Sequence, residues 1–222
     1  MTHLRHSTSR FNSDKRDKLF TNRYWHFPKA LTDSELNYLQ QVAHTSIKTG
    51  SPAIHMGEDP EKRSSTIGWS HDPRALQICT SLIYEANRNA GWWLDLQTPE
   101  AVQMTEYKEN NAGYDWHIDS KADQFSKRRW AETELDPMPL NQTRDTALLG
   151  QVRKLSLTLN LSNEQDYEGG ELEIQLDEQR HIFKGAAGSA TVFPSWTYHR
   201  VVPITDGIRH SAVLWMNGPP LR

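Results

Sequence analysis

The chain has 222 residues, enough for one domain with a substantial buried core. Its formal net charge of -3 argues against a protein that coats nucleic acid, because such binding needs a basic face. A hydrophobic content of 36 % with eight Trp argues against disorder. Since no apolar run approaches the roughly 20 residues that span a bilayer, we expect a globular protein with neither a membrane nor a nucleic acid as partner.

The beginning of the chain is polar and lacks the continuous apolar segment of a secretory signal. We interpret residues 1–22 as a polar tail and residues 23–222 as a single domain. The only cysteine, Cys79, allows no internal disulfide and fits a reducing compartment. These features predict a cytoplasmic protein, whereas the sequence carries no signature of an oligomeric state.

Two amphipathic helices are predicted in the first half of the chain. The first begins with a capping-box pattern, in which Thr32 caps the helix and Glu35 reaches back to it. The second begins with Asp72 as its cap and Pro73 as its first helical residue. We expect residues 31–90 to form a helical support.

From residue 101 onward the periodicity changes from helical to extended. The clearest example is KLSLTLNLS, residues 154–162, whose alternation of apolar and polar residues predicts a half-buried strand. Further alternating segments extend to residue 217. Helices followed by many short strands indicate an α+β protein with an antiparallel sandwich or barrel. Residues 121–152 are charged, contain proline and lack a sustained period, so we interpret them as a lid-like insertion.

A candidate metal site comes from the triplet His117-Ile118-Asp119. On a strand, side chains two positions apart point to the same side, so His117 and Asp119 can both face one ion. His199, on a later predicted strand, can supply a third ligand. Two histidines and one carboxylate are the facial triad of non-haem Fe(II) oxygenases, which leaves three coordination positions open. The triplet alone is weak evidence, because a strand histidine is more often only a hydrogen-bonded polar residue.

Arg209 follows His199 by ten positions (209 minus 199) and opens the last apolar strand. Residues 205–207, Thr-Asp-Gly, predict a hairpin turn, and its length decides which face Arg209 occupies. A two-residue loop would place Arg209 and His199 on opposite faces. A three-residue loop with Gly207 in the left-handed conformation places Arg209 opposite Pro203 and on the face of His199, and we predict this arrangement. The alternative is a surface arginine at a strand start.

These residues lie in four segments: TEYKENNAGYDWHIDS, KLSLTLNLS, YEGGELEI and FPSWTYHRVVPITDGIRHSAVLW. In order and spacing the segments resemble the Fe(II)/2-oxoglutarate-dependent dioxygenases, and more narrowly the prolyl 4-hydroxylase-like branch, over residues 101–217. The resemblance implies a double-stranded β-helix, or jelly-roll, core with the N-terminal helices packed on one sheet. It also implies Fe(II) as the metal, 2-oxoglutarate as co-substrate and ascorbate as a reductant.

The resemblance assigns roles to particular residues. His117, Asp119 and His199 match the metal ligands of the family. Arg209 matches the basic residue that binds the far carboxylate of 2-oxoglutarate, and Tyr107 matches a tyrosine that touches the same carboxylate. Family analogy also offers three candidates for contact with a peptide substrate: Arg63, Trp69 and Tyr114.

The leading hypothesis is an enzyme that hydroxylates a prolyl residue in a peptide or protein and releases succinate and carbon dioxide. One alternative keeps this chemistry but acts on another amino acid or a small molecule. A second alternative is a catalytically silent jelly-roll that binds metal or peptide without turnover. Succinate formation that depends on iron and on an added proline-containing peptide would distinguish the three.

Overall fold

The computed structural model describes residues 22–52, 65–108, 112–120, 148 and 151–220. The predicted polar tail lies outside these ranges except for Asn22. The predicted insertion is described only at Leu148, Gln151 and Val152. Among the described helices there is none with the length and apolar character needed to cross a bilayer. The cytoplasmic location and the single domain over residues 23–222 stay predictions.

Two helices and thirteen strands are found within these ranges. The helices are α1 (Asp33–Lys48) and α2 (Pro73–Asn89). The strands in chain order are β1 (Trp25–Phe27), β2 (Ser51–Pro52), β3 (Thr66–Ser70), β4 (Thr98–Pro99), β5 (Val102–Lys108), β6 (Ala112–His117), β7 (Val152–Asn160), β8 (Tyr167–Glu168), β9 (Leu172–Leu176), β10 (Gln179–Phe183), β11 (Ala190–Pro194), β12 (Tyr198–Ile204) and β13 (Asp206–Gly218).

Both helices begin where the sequence predicts. The Glu35 amide donates to Thr32 Oγ1 at 3.3 Å, and the Thr32 amide donates to the Glu35 carboxylate at 2.9 Å, which completes the capping box. At the second helix the Ala75 amide donates to Asp72 Oδ1 at 2.8 Å, and Pro73 is the first helical residue. Hydrogen bonds within one turn of chain therefore set both starting points.

The described strands form two antiparallel sheets. The larger one has the order β1-β11-β7-β13-β5-β3-β2, with β4 and β8 also paired to β13, and the smaller one has the order β10-β9-β12-β6. Both helices pack on one face of the larger sheet, where they share a core with alternate residues of β7 and β13. The members of that core from these two strands are Leu155, Leu157, Leu159, Ala212, Leu214 and Met216. The predicted α+β architecture, with the helices on one sheet, is confirmed.

The N-terminal half is not purely helical. Strand β3 lies between the two helices and pairs with β5, so that Trp69 is opposite Gln103. Strand β2 pairs with β3 in turn. The predicted helical support of residues 31–90 therefore also supplies two strands to the larger sheet. The run TIGWS is too short for its periodicity to decide between structures, and pairing with β5 decides it.

Strand β7 alternates as predicted, but it is not half-exposed. Its leucines face the helices, while the polar residues between them face the smaller sheet and not the solvent. Ser156 is 1 % exposed and Asn160 is 7 % exposed. Because the helices pack on one face of β7 and the residues around Asp119 lie against the other, both of its faces are covered.

The predicted hairpin at residues 205–207 is wrong. Strand β12 pairs with β6 and β9 in the smaller sheet, whereas β13 pairs with β5 and β7 in the larger sheet. Gly207 does adopt the left-handed conformation, with φ of 77°, because the Asp166 carbonyl lies where a Cβ atom would stand. The glycine thus turns the chain from one sheet to the other, and Arg209 pairs with Tyr107 of β5 instead of Pro203.

Candidate active site

Three predicted ligand residues converge between the two sheets. His117 ends β6 and pairs in register with His199 of β12. The His117 Nε2 atom lies 3.6 Å from Asp119 Oδ1, and the His199 Nε2 atom lies 3.6 Å from Asp119 Oδ2. One potential ligand atom from each residue lies within 4.8 Å of the other two. The structure therefore brings together side chains that lie up to 82 positions apart in sequence (199 minus 117).

The sequence predicted that Asp119 and His117 share a strand, but the structure does not place them on one. Strand β6 ends at His117, and Asp119 lies in the bend that follows. The Asp119 amide donates to the Ser195 carbonyl at 2.9 Å, which holds the bend against the turn between β11 and β12. The two side chains still point into the same space, because the hydrogen bond from Asp119 to Ser195 fixes the backbone beyond the end of the strand.

Both imidazole rings are oriented by backbone carbonyl groups. The His117 Nδ1 atom lies 2.7 Å from the Asp115 carbonyl oxygen, and the His199 Nδ1 atom lies 2.9 Å from the Thr197 carbonyl oxygen. Because a carbonyl only accepts, each Nδ1 carries a hydrogen, so the neutral form of each ring presents its Nε2 lone pair toward Asp119. Burial also lowers the pKa of His199, which favours the neutral ring. Histidines that bind metals are commonly held this way.

Asp119 supplies the negative charge of the cluster. Burial by itself raises the pKa of its carboxyl group, but the nearby His199, His117 and Arg153 outweigh burial and hold the pKa well below its usual range. The group is therefore a carboxylate, and the Nε2 atoms of two imidazole rings lie beside it. One anionic oxygen and two imidazole nitrogens fit a divalent first-row metal such as Fe(II).

Arg209 lies in the same interior as the three ligand residues. Its side chain is 4 % exposed, and its Cζ atom lies 5.5 Å from the ring centroid of Tyr107, its partner in register. Among the described residues, the Nε and Nη1 atoms of Arg209 have no hydrogen-bond partner. A buried cation with two unpaired nitrogens is costly, so the site is suited to an anion that would pair with them. A planar guanidinium matches a carboxylate with two parallel hydrogen bonds.

The three residues suggested as substrate contacts have different positions. Tyr114 stacks directly on His117, with ring centroids 3.6 Å apart and an interplanar angle of 20°. Trp69 is 49 % exposed, and its ring centroid lies 6.2 Å from that of Trp215. Arg63 lies outside the described residues. Trp69 therefore stands near the solvent, whereas Tyr114 touches the ligand cluster itself.

A cation and an indole that the sequence did not indicate lie beside the cluster. The Arg153 guanidinium lies over the Trp215 ring, with Cζ 3.9 Å from the ring centroid. Two of its nitrogens, Nε and Nη2, donate to the Glu100 carboxylate at 2.8 Å each. Trp215 alternates in β13 with the residues that pack against the helices, but Arg153 has the same parity in β7 as Leu155 and Leu157, so strict alternation would have placed it on the helix side. The register shift between Met216 and Asn217 of β13 separates Arg153 from that alternation, and the sequence did not indicate it. Trp69, Trp215 and Arg153 lie in contact in this order and form a surface whose outer end, Trp69, is exposed and whose middle, Trp215, is buried. Arg153 at the inner end is close enough to Asp119 to help lower its pKa.

The fold and the site define a jelly-roll protein with a His-Asp-His cluster that could hold a metal ion and with a buried arginine that has two nitrogens unpaired in the described part of the chain. The profile of the 2OG-Fe(II) oxygenase superfamily matches residues 102–217, which is just over half of the chain, and the chain belongs to this family. The family implies Fe(II) and 2-oxoglutarate; the His-Asp-His cluster fits the first, and the guanidinium with unpaired Nε and Nη1 atoms fits the second.

Relatives by sequence include PKHD-type hydroxylases. A PKHD-type hydroxylase from Psychrobacter sp. (strain PRwf-1) is 26 % identical over 189 residues, which cover 84 % of this chain and 66 % of that protein. A PKHD-type hydroxylase from Synechococcus sp. (strain JA-2-3B'a(2-13)) is 47 % identical over 62 residues, which cover 28 % of each chain. The matched segments thus span less than two thirds of these relatives' own length.

Solved structures share the fold. A prolyl-4-hydroxylase from Pseudomonas putida superposes with a TM-score of 0.63 at 21 % identity, over 90 % of this chain and 95 % of that one. A prolyl hydroxylase from Trichoplax adhaerens, in complex with a hypoxia inducible factor peptide fragment, gives a TM-score of 0.64 at 18 % identity, over 90 % and 86 % of the two chains. The expected jelly-roll core is confirmed by this likeness.

Proposed function

We propose that this protein is an Fe(II)- and 2-oxoglutarate-dependent oxygenase. In this proposal His117, Asp119 and His199 hold the iron, while Arg209 and Tyr107 bind the far carboxylate of 2-oxoglutarate. The observation that carries the proposal is the buried Arg209 side chain, whose Nε and Nη1 atoms are unpaired among the described residues. It lies in the same interior as the ligand cluster, and family membership supports the same assignment independently.

The metal and the co-substrate would supply the oxidative chemistry, in which one atom of dioxygen is used to convert 2-oxoglutarate to succinate and carbon dioxide and the other enters a substrate C–H bond. The residues of the chain would bind and orient the co-substrate. Arg209 would grip the carboxylate with its planar fork, and the Tyr107 hydroxyl would donate one further hydrogen bond. Since both side chains are at least 96 % buried (4 % and 3 % exposed), these bonds would form in a site sheltered from water.

We propose a prolyl residue in a peptide or protein as the substrate. The names of the relatives and structural neighbours support this class. The surface formed by Trp69, Trp215 and Arg153 also suits a peptide, since indole rings pack against a pyrrolidine ring and a guanidinium donates to backbone carbonyls. Ascorbate enters the proposal only as the reductant that keeps iron in its ferrous state.

Succinate formation tests the function directly. We expect the purified protein with Fe(II), 2-oxoglutarate, ascorbate and a proline-rich peptide to form succinate, with a mass gain of one oxygen atom on a prolyl residue. A peptide with alanine in place of proline is the matched control. Succinate formed equally well without peptide would favour a small-molecule substrate, and a protein that binds both cofactors yet forms no succinate with any peptide would contradict the proposal.

Trp69→Ala is expected to weaken peptide binding selectively. Loss of one aromatic contact at an interface costs about 1–2 kcal/mol, which raises the KM for peptide roughly 5- to 30-fold. The affinity for 2-oxoglutarate should stay unchanged, because Trp69 lies at the exposed end of the surface. Trp93→Ala is the control, since Trp93 is 69 % exposed but follows α2, on the helix side of the larger sheet. Equal effects of the two substitutions would argue against Trp69 as a substrate contact.

A further inference from the structure

We propose that Ser156 is a positioning residue that makes Asp119 bind the metal through a single carboxylate oxygen, and that Ser195 aligns Ser156 for this purpose. The inference rests on the proposed function, because it concerns the geometry of the same metal centre. Neither serine belongs to the ligand cluster, and both are almost completely buried, with Ser156 1 % exposed and Ser195 0 % exposed.

The direction of the hydrogen bonds follows from counting protons. The Ser156 Oγ atom lies 2.6 Å from Asp119 Oδ2, and since the carboxylate only accepts, Ser156 donates its single hydrogen there. The Ser195 Oγ atom lies 2.9 Å from Ser156 Oγ. With the Ser156 hydrogen already used, Ser195 is the donor in this second bond. Both hydrogen bonds therefore run in the same direction, from Ser195 to Ser156 and from Ser156 to the Asp119 carboxylate.

The turn between β11 and β12 connects this chain to two ligand residues. The Ser195 carbonyl accepts hydrogen bonds from the amides of Asp119 at 2.9 Å and Ser120 at 3.0 Å. Two residues later, the Thr197 carbonyl accepts the His199 Nδ1 hydrogen at 2.9 Å. The same short turn therefore fixes the backbone of Asp119, its carboxylate through Ser156, and the ring of His199.

A hydrogen bond to one carboxylate oxygen matters for the number of open metal positions. The short bond from Ser156 draws electron density from Oδ2, which leaves Oδ1 as the better ligand atom. With one oxygen from Asp119, a six-coordinate metal keeps three positions for co-substrate and dioxygen. A carboxylate that bound through both oxygens would leave only two. The Ser156 hydroxyl would thus keep open the third coordination position of the metal, on which the proposed reaction depends.

Cobalt binding tests the inference without relying on turnover. For Ser156→Ala we expect Co(II) to bind about 10- to 100-fold more weakly than to the wild type in calorimetric titration, the usual loss for an outer hydrogen-bond partner. The visible absorption spectrum of bound Co(II) should also change, because it reports coordination number. Ser156→Thr keeps the hydroxyl group and should restore both affinity and spectrum. Ser195→Ala should give a smaller loss in the same direction.

Ser162→Ala is the matched control, since Ser162 is also buried and its hydroxyl accepts a hydrogen bond from the His210 amide at 2.8 Å, away from Asp119. It should leave the Co(II) affinity and spectrum unchanged. Wild-type affinity and spectrum in Ser156→Ala, or a Ser156→Thr variant as impaired as Ser156→Ala, would overturn the inference alone. A wild-type protein that binds neither Co(II) nor Fe(II) would overturn the proposed function itself. Circular dichroism of the metal-free variants establishes that they are folded.

Discussion

Arg209→Met is expected to remove most of the affinity for 2-oxoglutarate while leaving the metal site intact. Removing one partner of a buried charge-assisted pair costs about 2–5 kcal/mol. This loss corresponds to a dissociation constant raised roughly 30-fold to several-thousand-fold. The measurement is anaerobic titration of the Fe(II)-loaded protein with 2-oxoglutarate. Co(II) affinity should match the wild type, because Arg209 does not belong to the ligand cluster.

The same substitution should not lower the thermal stability of the free protein, although it weakens binding of the co-substrate. Without co-substrate, Arg209 is a buried cation whose Nε and Nη1 atoms have no partner among the described residues. An apolar side chain of similar length removes that unfavourable burial, so the metal-free Arg209→Met protein should unfold at the same temperature or a higher one. In the wild type, 2-oxoglutarate at 100 times its dissociation constant should add about 2.7 kcal/mol of stability. The variant should lose this stabilisation.

Arg200→Met supplies the control for both measurements. Arg200 also lies in a strand near the site, but its Nε atom donates to Glu173 at 2.7 Å, and its position next to His199 in β12 directs it to the opposite face. It should bind 2-oxoglutarate like the wild type. If Arg209→Met keeps wild-type affinity, the anion site lies elsewhere and the assignment of Arg209 is wrong.

Asp119→Asn is expected to abolish metal binding without unfolding the protein. The amide keeps an oxygen that accepts from Ser156, but it removes the negative charge that stabilises a divalent ion. The affinity for Co(II) should fall by more than about 100-fold, the upper end of the loss caused by an outer partner alone. Succinate formation should disappear with it. Calorimetry with Co(II) measures the first effect, and peptide-dependent succinate release measures the second.

Asp115→Asn is the matched control for this substitution. Asp115 lies in the same strand as His117, but its side chain is exposed and its carboxylate accepts from the Trp116 amide at 2.7 Å. The Asp115 backbone carbonyl, which orients His117, is untouched by the change. We expect unchanged Co(II) affinity in Asp115→Asn. Retention of tight Co(II) binding in Asp119→Asn would show that this carboxylate is not a ligand.

The local features of this protein were determined by the sequence alone. The caps at Thr32 and Asp72 form as predicted, because they depend on hydrogen bonds within one turn of helix. The convergence of His117 and Asp119 was predicted from their two-residue spacing, although the strand ends early and the bond from the Asp119 amide to the Ser195 carbonyl completes it. Likewise, the conformation of Gly207 depends on the absence of a Cβ atom, a property of one residue.

Only the tertiary structure decided which faces and strands meet. The polar residues of β7 face the smaller sheet, and Arg209 pairs with Tyr107 and not with Pro203, because β12 and β13 belong to different sheets. The contact of Ser156 with Asp119 and the stacking of Arg153 on Trp215 also join distant segments. Alternation along a strand shows that it has two faces, but pairing between segments far apart in sequence determines what covers each face. For this reason the ligand residues could be predicted, while the groups that orient them could not.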